Sequence, residues 1–439
     1  MEWRSSQGSS IVDGEMSMVK EWAKAAFLSG LRGLEGGTLT LQCPDRMYTF
    51  GDDDGLNATL TVHDERFFLR ALTGSDVGLG ESFVDGDWTT PDLVPLARLM
   101  LRNHRLLDGQ GRIMGALHRL VGGIARRLRD NSLAGSRRHI HRHYDLGNEF
   151  FRLFLDADLL MYSCAYFASA ADSLEKAQAQ KVDRICRALK LSPADHVLEV
   201  GSGWGGFAVW ASTHYGCRVT TTTISDEQYR HVREWRSKIG EAGSRIDVLR
   251  ADYRELTGRF DKVVSIEMFE AVGLNHYDDY FRAVDRLLSP NGMMFLQTIT
   301  VDDQWFPTYH GTPDWIEKYI FPGGELASVG EVLTSLARTT SLSMYQAENF
   351  GTHYARTLHA WRVRFHQSLD RVRALGFDER FIRMWDLYLA YCEAAFLERH
   401  AGLFQMLLVK NGSQRTLFNE PWCEARTTPH AEAARESAA

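Results

Sequence analysis

No stretch of this 439-residue chain approaches the ~20 consecutive apolar residues that a membrane-crossing helix needs. The polar, Gly/Ser-rich N-terminus carries no secretory signal pattern. Cysteine is scarce, and Cys43, Cys164, Cys186, Cys217, Cys392 and Cys423 are scattered without Cys-x-x-Cys spacing, which argues against a disulfide framework and a zinc site. There is no Gly-Lys-Ser/Thr loop to cradle a phosphate, and no carboxylate about 20 residues beyond a glycine-rich strand end to hold a dinucleotide ribose. A net charge of −7 with 24% charged residues fits an ordinary soluble protein in a reducing cytoplasm.

The length suits two or three domains. Residues 1–16 read as a flexible tail, 17–103 as a small α+β unit, 104–138 as a linker, 139–410 as the main domain and 411–439 as a second tail. Within the first unit, helical spacing begins near Ser17. Thr38–Leu41, Met47–Phe50, Ala58–Val62 and Phe67–Leu69 alternate like strands of an antiparallel sheet, Val77–Pro91 looks irregular, and Asp92–Asn103 reads as a helix. The linker region is lopsided, with ten arginines between Arg102 and Arg142 against Asp108 and Asp130. Its apolar stripe (Ile113, Met114, Leu117, Leu120, Val121, Ile124, Leu128) makes it a basic amphipathic segment. It suits anionic lipid head groups or simple packing on the protein, and without aromatic interleaving it does not suit nucleic acid. His139, His141 and His143 alternate, but with no acidic or cysteine partner they read as a polar surface rather than a metal site.

The main domain is organised around Val197-Leu-Glu-Val-Gly-Ser-Gly-Trp-Gly-Gly-Phe207. Apolar residues run into a Gly-x-Gly-x-Gly turn and then a helix, the strand–turn–helix pattern of a nucleotide-binding βα unit. Strands follow at 218–223, 245–250, 260–267 and 293–299, separated by helices at 226–240 and 277–288. Such alternation predicts a mostly parallel, doubly wound α/β sheet with ligands at the strands' carboxyl ends. There lie Glu199, Gly201, Ser202, Gly203, Trp204, Gly205, Thr223, Ile224, Ser225, Gln228, Asp252, Tyr253 and Glu267. A phosphate-free nucleoside, S-adenosylmethionine, fits this set: the turn passes its amino-acid portion, and Asp252 and Tyr253 offer a hydrogen bond and a stacking face to adenine. Glu267 and Glu270 also admit a plainer reading as caps of a helix after the fourth strand.

These motifs, with His143-Tyr-Asp-Leu-Gly-Asn, Tyr162-Ser-Cys-Ala-Tyr-Phe, Ser265-Ile-Glu-Met-Phe-Glu-Ala-Val-Gly, Lys318-Tyr-Ile-Phe-Pro-Gly-Gly and Asn349-Phe-Gly-x-x-Tyr, resemble the cyclopropane-fatty-acyl-phospholipid synthases over about residues 20–410. The resemblance implies a class I methyltransferase-like Rossmann fold and a small N-terminal lipid-binding-like α+β domain. It implies methylene transfer from S-adenosylmethionine to a cis double bond in membrane phospholipids, by a homodimer at the inner face of the membrane. Tyr162 and Ser163 join the cofactor set. A bound bicarbonate serves as proton acceptor, held by positions matching Cys164, Glu270, Gln297, Ile299 and Tyr354. Cys392 matches a cysteine once assigned as active, although packing is the simpler role. Two positions depart from the family pattern: Gln297 stands for a histidine, and Ala271 replaces the histidine of Phe-Glu-His-Val-Gly. Gln cannot relay a proton, which brings in a methylene- or methyl-branched product as the alternative to a ring. A non-catalytic lipid carrier is the third reading.

Overall fold

The computed structural model describes residues 8–53, 55–104, 146–310 and 314–413. The basic segment, the alternating histidines and the C-terminal tail lie outside these residues.

A four-stranded sheet is built from β1 (Gly37–Gln42), β2 (Met47–Gly51), β3 (Leu56–Val62) and β4 (Trp88–Thr89), in the order β2-β1-β3-β4. It is mixed rather than antiparallel, because β1 and β3 run parallel with Leu39 beside Ala58. The segment expected as a strand at Phe67 and irregular after Val77 is one helix, Arg66–Asp85, closed by Gly86 in the left-handed conformation. Gly80 inside this helix serves packing: a Cβ there would lie 2.4 Å from the Trp315 ring. Phe67, Phe68 and Trp88 form the core of this unit, and Ala390 of helix Glu379–Leu397 packs into it. Arg98 and Arg102 of helix Leu93–Arg102 both bond the Glu398 carboxylate, at 2.5 and 2.8 Å.

The second sheet has seven strands: β5 (His196–Val200), β6 (Arg218–Thr223), β7 (Ile246–Arg250), β8 (Phe260–Ile266), β9 (Leu288–Thr300), β10 (Leu342–Asn349) and β11 (Gly402–Lys410). Their order is β10-β11-β9-β8-β5-β6-β7. β5 to β9 pair in parallel, while β11 is antiparallel to both β9 and β10. This is the expected doubly wound sheet of a class I methyltransferase fold with an antiparallel edge. Val197, Leu198, Val263, Val264 and Phe295 are buried, as strands covered on both faces require. The chain winds outward one way through β6 and β7 and the other way through β8 and β9. The switch point therefore opens a crevice at the carboxyl ends of β5 and β8.

A body of aromatic side chains covers that crevice. Phe150, Phe154, Trp361 and Trp385 are buried in one cluster with Trp204 and Tyr354. Helices Gly351–Gln367 and Glu379–Leu397 carry much of it. Truncating a ring of this size in such a core costs about 3–5 kcal/mol.

Candidate active site

The turn after β5 is held in three left-handed steps, Gly201 (φ 93°), Gly203 (φ 48°) and Gly205 (φ 96°), which side chains rarely tolerate. Amides of Gly201 and Ser202 donate to the Thr222 carbonyl at 3.1 and 2.9 Å, tying the turn to β6. A Cβ on Gly201 would come within 2.9 Å of Met268, and one on Gly205 within 3.1 Å of Val232. A Cβ on Gly203 would meet nothing within 4 Å, because that face opens into the crevice. Trp204 serves packing as well as the turn: its indole N–H donates to Asn148 Oδ1 at 2.7 Å and its ring lies 4.7 Å from Phe151. At the end of β6, the Thr223 hydroxyl donates to Gln228 Oε1 at 2.8 Å and Ser225 caps the following helix. Asp252 is turned onto Arg254, whose Nε and Nη2 each donate at 2.8 Å, and Tyr253 packs edge-on against Tyr280.

Glu199 accepts from the Thr221 hydroxyl at 2.6 Å, and burial pushes its carboxyl up to about 8. Behind it, burial pushes the Lys181 ammonium down to about 8, opposed first by Glu267, and its Nζ donates to the Ser163 hydroxyl at 2.8 Å. The Tyr162 hydroxyl bonds that of Tyr388 at 2.9 Å.

The second centre forms where β8 ends. Glu267 does not cap a helix; it takes a left-handed turn at φ 49°, a conformation that costs a non-glycine residue on the order of 1 kcal/mol. Its carboxylate is thereby delivered onto three donors. Oε1 accepts from the Cys164 amide at 2.8 Å and from Gln297 Nε2 at 2.7 Å, and Oε2 accepts from the Tyr354 hydroxyl at 2.6 Å. These donors belong to the set expected to hold a bicarbonate, and a side-chain carboxylate of this chain engages them all. A bicarbonate therefore does not fit this seat as built.

The orientation of Gln297 follows from its neighbours. Arg184 Nε donates to Gln405 Oε1 at 2.8 Å, and Gln405 Nε2 donates to Gln297 Oε1 at 2.8 Å. A guanidinium has no acceptor, so the chain of amides can run in one direction only and presents the Gln297 NH2 to Glu267. Glu270 sits nearby with Oε1 accepting from the Ile299 amide and, at 3.1 Å, from the Thr298 hydroxyl. Burial first, then the Glu267 charge, pushes Glu270 up to about 8. Burial raises Glu267 as well, opposed by Tyr354, Cys164, Gln297 and Lys181.

Both centres face one cavity of about 360 Å³. Glu199, Gly203, Gln228, Asp252, Tyr253, Glu267, Glu270, Ile299 and Tyr354 line it, and it continues between Ile316, Phe321, Tyr388, Cys392 and Phe396. Cys164 and Gln297 lie fully buried behind Glu267.

The comparison with known proteins decides the family. The mycolic acid cyclopropane synthetase family matches residues 131–406. The chain belongs to that family. Among its relatives, the cyclopropane-fatty-acyl-phospholipid synthase of Escherichia coli is 38% identical over 81% of this chain and 89% of that one. The tuberculostearic acid methyltransferase of Mycobacterium tuberculosis is 36% identical over 76% of this chain and 79% of that one. Among solved structures, a cyclopropane synthase from Mycobacterium tuberculosis superposes with a TM-score of 0.57 at 30% identity, covering 62% of this chain and 98% of that one. A mycolic acid cyclopropane synthase solved with SAH and CTAB gives 0.58 at 31% identity, covering the same shares of the two chains.

The protein is accordingly an S-adenosylmethionine-dependent methyltransferase of the cyclopropane synthetase type. In this member of the family the Gln297 NH2 donates to Glu267, at the place where the resemblance expects an anion. Sequence reasoning placed Glu267 beside the cofactor and missed Lys181, Gln405 and Thr298 altogether. Their only sequence signal is a polar residue inside an otherwise apolar strand or helix face. Cys392 lines the cavity, and burial pushes its thiol well up.

The two raised carboxyls have a consequence for stability. Glu199 and Glu270 stay protonated in the folded protein up to about 8, while the unfolded chain ionises them near 4.5. Between those values the unfolded state binds fewer protons, so their contribution falls as pH rises and levels off above the folded value. Relative to wild type, ligand-free Glu199→Gln is expected to gain Tm progressively as pH is raised through this window. A difference independent of pH would show that Glu199 ionises normally.

Proposed function

We propose that this methyltransferase converts a cis double bond in an unsaturated phospholipid acyl chain into a cyclopropane ring. The observation that carries the reading is the shared cavity, in which a glycine turn for a nucleoside meets a buried carboxylate pair and then an aromatic channel. The family and the name of the Escherichia coli relative support a lipid substrate, as does the CTAB-bound solved structure.

S-adenosylmethionine, when bound, supplies an electrophilic sulfonium methyl. The Gly201–Gly205 turn, with Ser202 and Trp204, accommodates its amino-acid portion, and the open face of Gly203 leaves room for it. Glu199 receives its ammonium group. Thr223, Ile224, Ser225 and Gln228 border the ribose side, and Asp252 and Tyr253 the adenine. Tyr162 and Ser163 close the site from the opposite wall. The apolar channel past Phe321 and Phe396 takes the acyl chain and excludes water from the cation that forms on it. No bicarbonate enters this reading, since Cys164, Gln297 and Tyr354 donate to Glu267 and the Ile299 amide to Glu270. Expression in a host with abundant unsaturated phospholipid tests the proposal: mass spectrometry should find acyl chains heavier by one CH2 and resistant to hydrogenation as rings. Unchanged lipids would contradict it.

Peripheral contact with an anionic membrane and assembly as a homodimer belong to the same proposal. Among the described residues no helix is long and apolar enough to cross a membrane. Met18 and Trp22 are each 65% exposed on helix Gly8–Gly30, which supports a membrane-facing surface. Arg126, Arg127 and Arg129 add positive charge in the basic segment, each contributing about 1 kcal/mol toward anionic lipid before screening. Converting all three to Gln is expected to weaken binding to anionic vesicles, most at low salt. Equal binding at every ionic strength would assign the segment a structural role.

A further inference from the structure

Glu267 fills the seat in which the family resemblance places a dissociable anion. We propose that the Glu267 carboxylate is itself the base of this enzyme, taking the proton lost by the transferred carbon. The inference rests on the lipid methylene transfer proposed above and names the group that completes it.

The geometry leaves little alternative occupant. The two donors to Oε1, the Cys164 amide and the Gln297 amide, are fully buried behind the carboxylate, so a second anion could reach them only by displacing Glu267. A carboxylate offers about four acceptor positions. The Cys164, Gln297 and Tyr354 bonds use three of them, and Oε2, which holds only the tyrosine bond, keeps capacity while Glu267 lines the cavity. The donors are themselves fixed. Gln297 is oriented through Gln405 from Arg184, and Cys164 lies on a loop whose Leu159 and Met161 amides are pinned by Asp156 at 2.7 Å each. The residue after Glu267, Met268, packs where a Gly201 side chain would stand, which sets the carboxylate beside the nucleoside turn. The left-handed backbone at Glu267 persists although it strains a side-chain-bearing residue, as expected where surrounding contacts enforce a functional position. Lys181 supplies nearby positive charge, and burial together with the Glu267 charge pushes Glu270 up to about 8.

The step balances. The alkene π electrons form one bond to the sulfonium methyl while the carbon–sulfur electron pair departs with sulfur, leaving a cation on the other alkene carbon. A C–H pair of the transferred carbon then closes the third ring bond. Its proton passes to Glu267, which becomes a carboxylic acid and returns the proton to water after the lipid leaves.

The test uses the purified full-length protein, vesicles of cis-unsaturated phospholipid and buffers stripped of carbon dioxide, with and without added bicarbonate. Wild type should turn over equally in both. Glu267→Gly suits the left-handed backbone and empties the seat. It should lose about a hundredfold or more in kcat without bicarbonate, keep its affinity for S-adenosylmethionine by calorimetry, and regain rate as bicarbonate is added. Glu267→Gln, neutral and of the same shape, should be equally slow but insensitive to bicarbonate because the seat remains filled. A wild-type rate that collapses when bicarbonate is removed, or a Glu267→Gln protein as fast as wild type, overturns the assignment while leaving the lipid reaction standing. A wild-type protein that alters no lipid double bond in either buffer overturns both.

Discussion

Gly203→Val is expected to lose S-adenosylmethionine affinity by about a hundredfold or more, a difference of roughly 2.7 kcal/mol, while the protein still folds. Of the three left-handed glycines in the turn, only Gly203 has open space where a side chain would project. Substitution at Gly201 or Gly205 would drive a Cβ into Met268 or Val232 and disturb the fold together with the site. At Gly203 the isopropyl group would instead occupy the crevice. The left-handed backbone penalises a β-branched residue by about 1–2 kcal/mol, so a modest drop in Tm should accompany the loss of binding. Calorimetry that finds unchanged affinity would remove this turn from the cofactor site.

Glu270→Ala should reduce kcat by about a hundredfold, with cofactor affinity retained. Glu270 Oε1 satisfies the Ile299 amide and the Thr298 hydroxyl, and truncation leaves that buried amide without its acceptor. A stranded buried donor costs about 1–3 kcal/mol, and the vacated volume lets water approach the cation. Glu270→Gln separates charge from shape. Because Glu270 is held neutral up to about 8, the amide reproduces its acceptor and should keep most of the activity. Oε2 is buried and has no hydrogen-bond partner among the described residues, which suits a neutral carboxyl better than a carboxylate. A Glu270→Gln protein as slow as Glu270→Ala would instead require an ionised Glu270.

The alternation of strands and helices from 197 to 299 was legible because the central parallel strands are apolar or, in β6, rich in Val and Thr, and their turns carry glycine or proline. Helix Arg66–Asp85 was not, since Gly78 and Gly80 inside it imitate turn signals and the reason for Gly80 is a tryptophan ring 235 residues away in sequence (80 to 315). The glycine turn could be read directly, because its chemistry lies in consecutive residues. The seat of Glu267 could not. It depends on a backbone angle that periodicity does not encode and on donors 103, 30 and 87 residues distant. Family resemblance groups those donors around an anion, and the structure brings them together around the Glu267 carboxylate, whose position is set by that one left-handed residue.

The central claim, transfer of a methylene rather than a methyl group to a lipid double bond, is tested most directly with S-adenosylmethionine carrying a fully deuterated methyl. Purified protein, labelled donor and cis-unsaturated phospholipid vesicles are incubated, and the acyl chains are analysed by mass spectrometry. Ring closure removes one deuteron to the base, so the account predicts chains that gain one carbon with two deuterons and no remaining double bond. A product that retains all three deuterons, whether on a branched chain or on a head group, would contradict it.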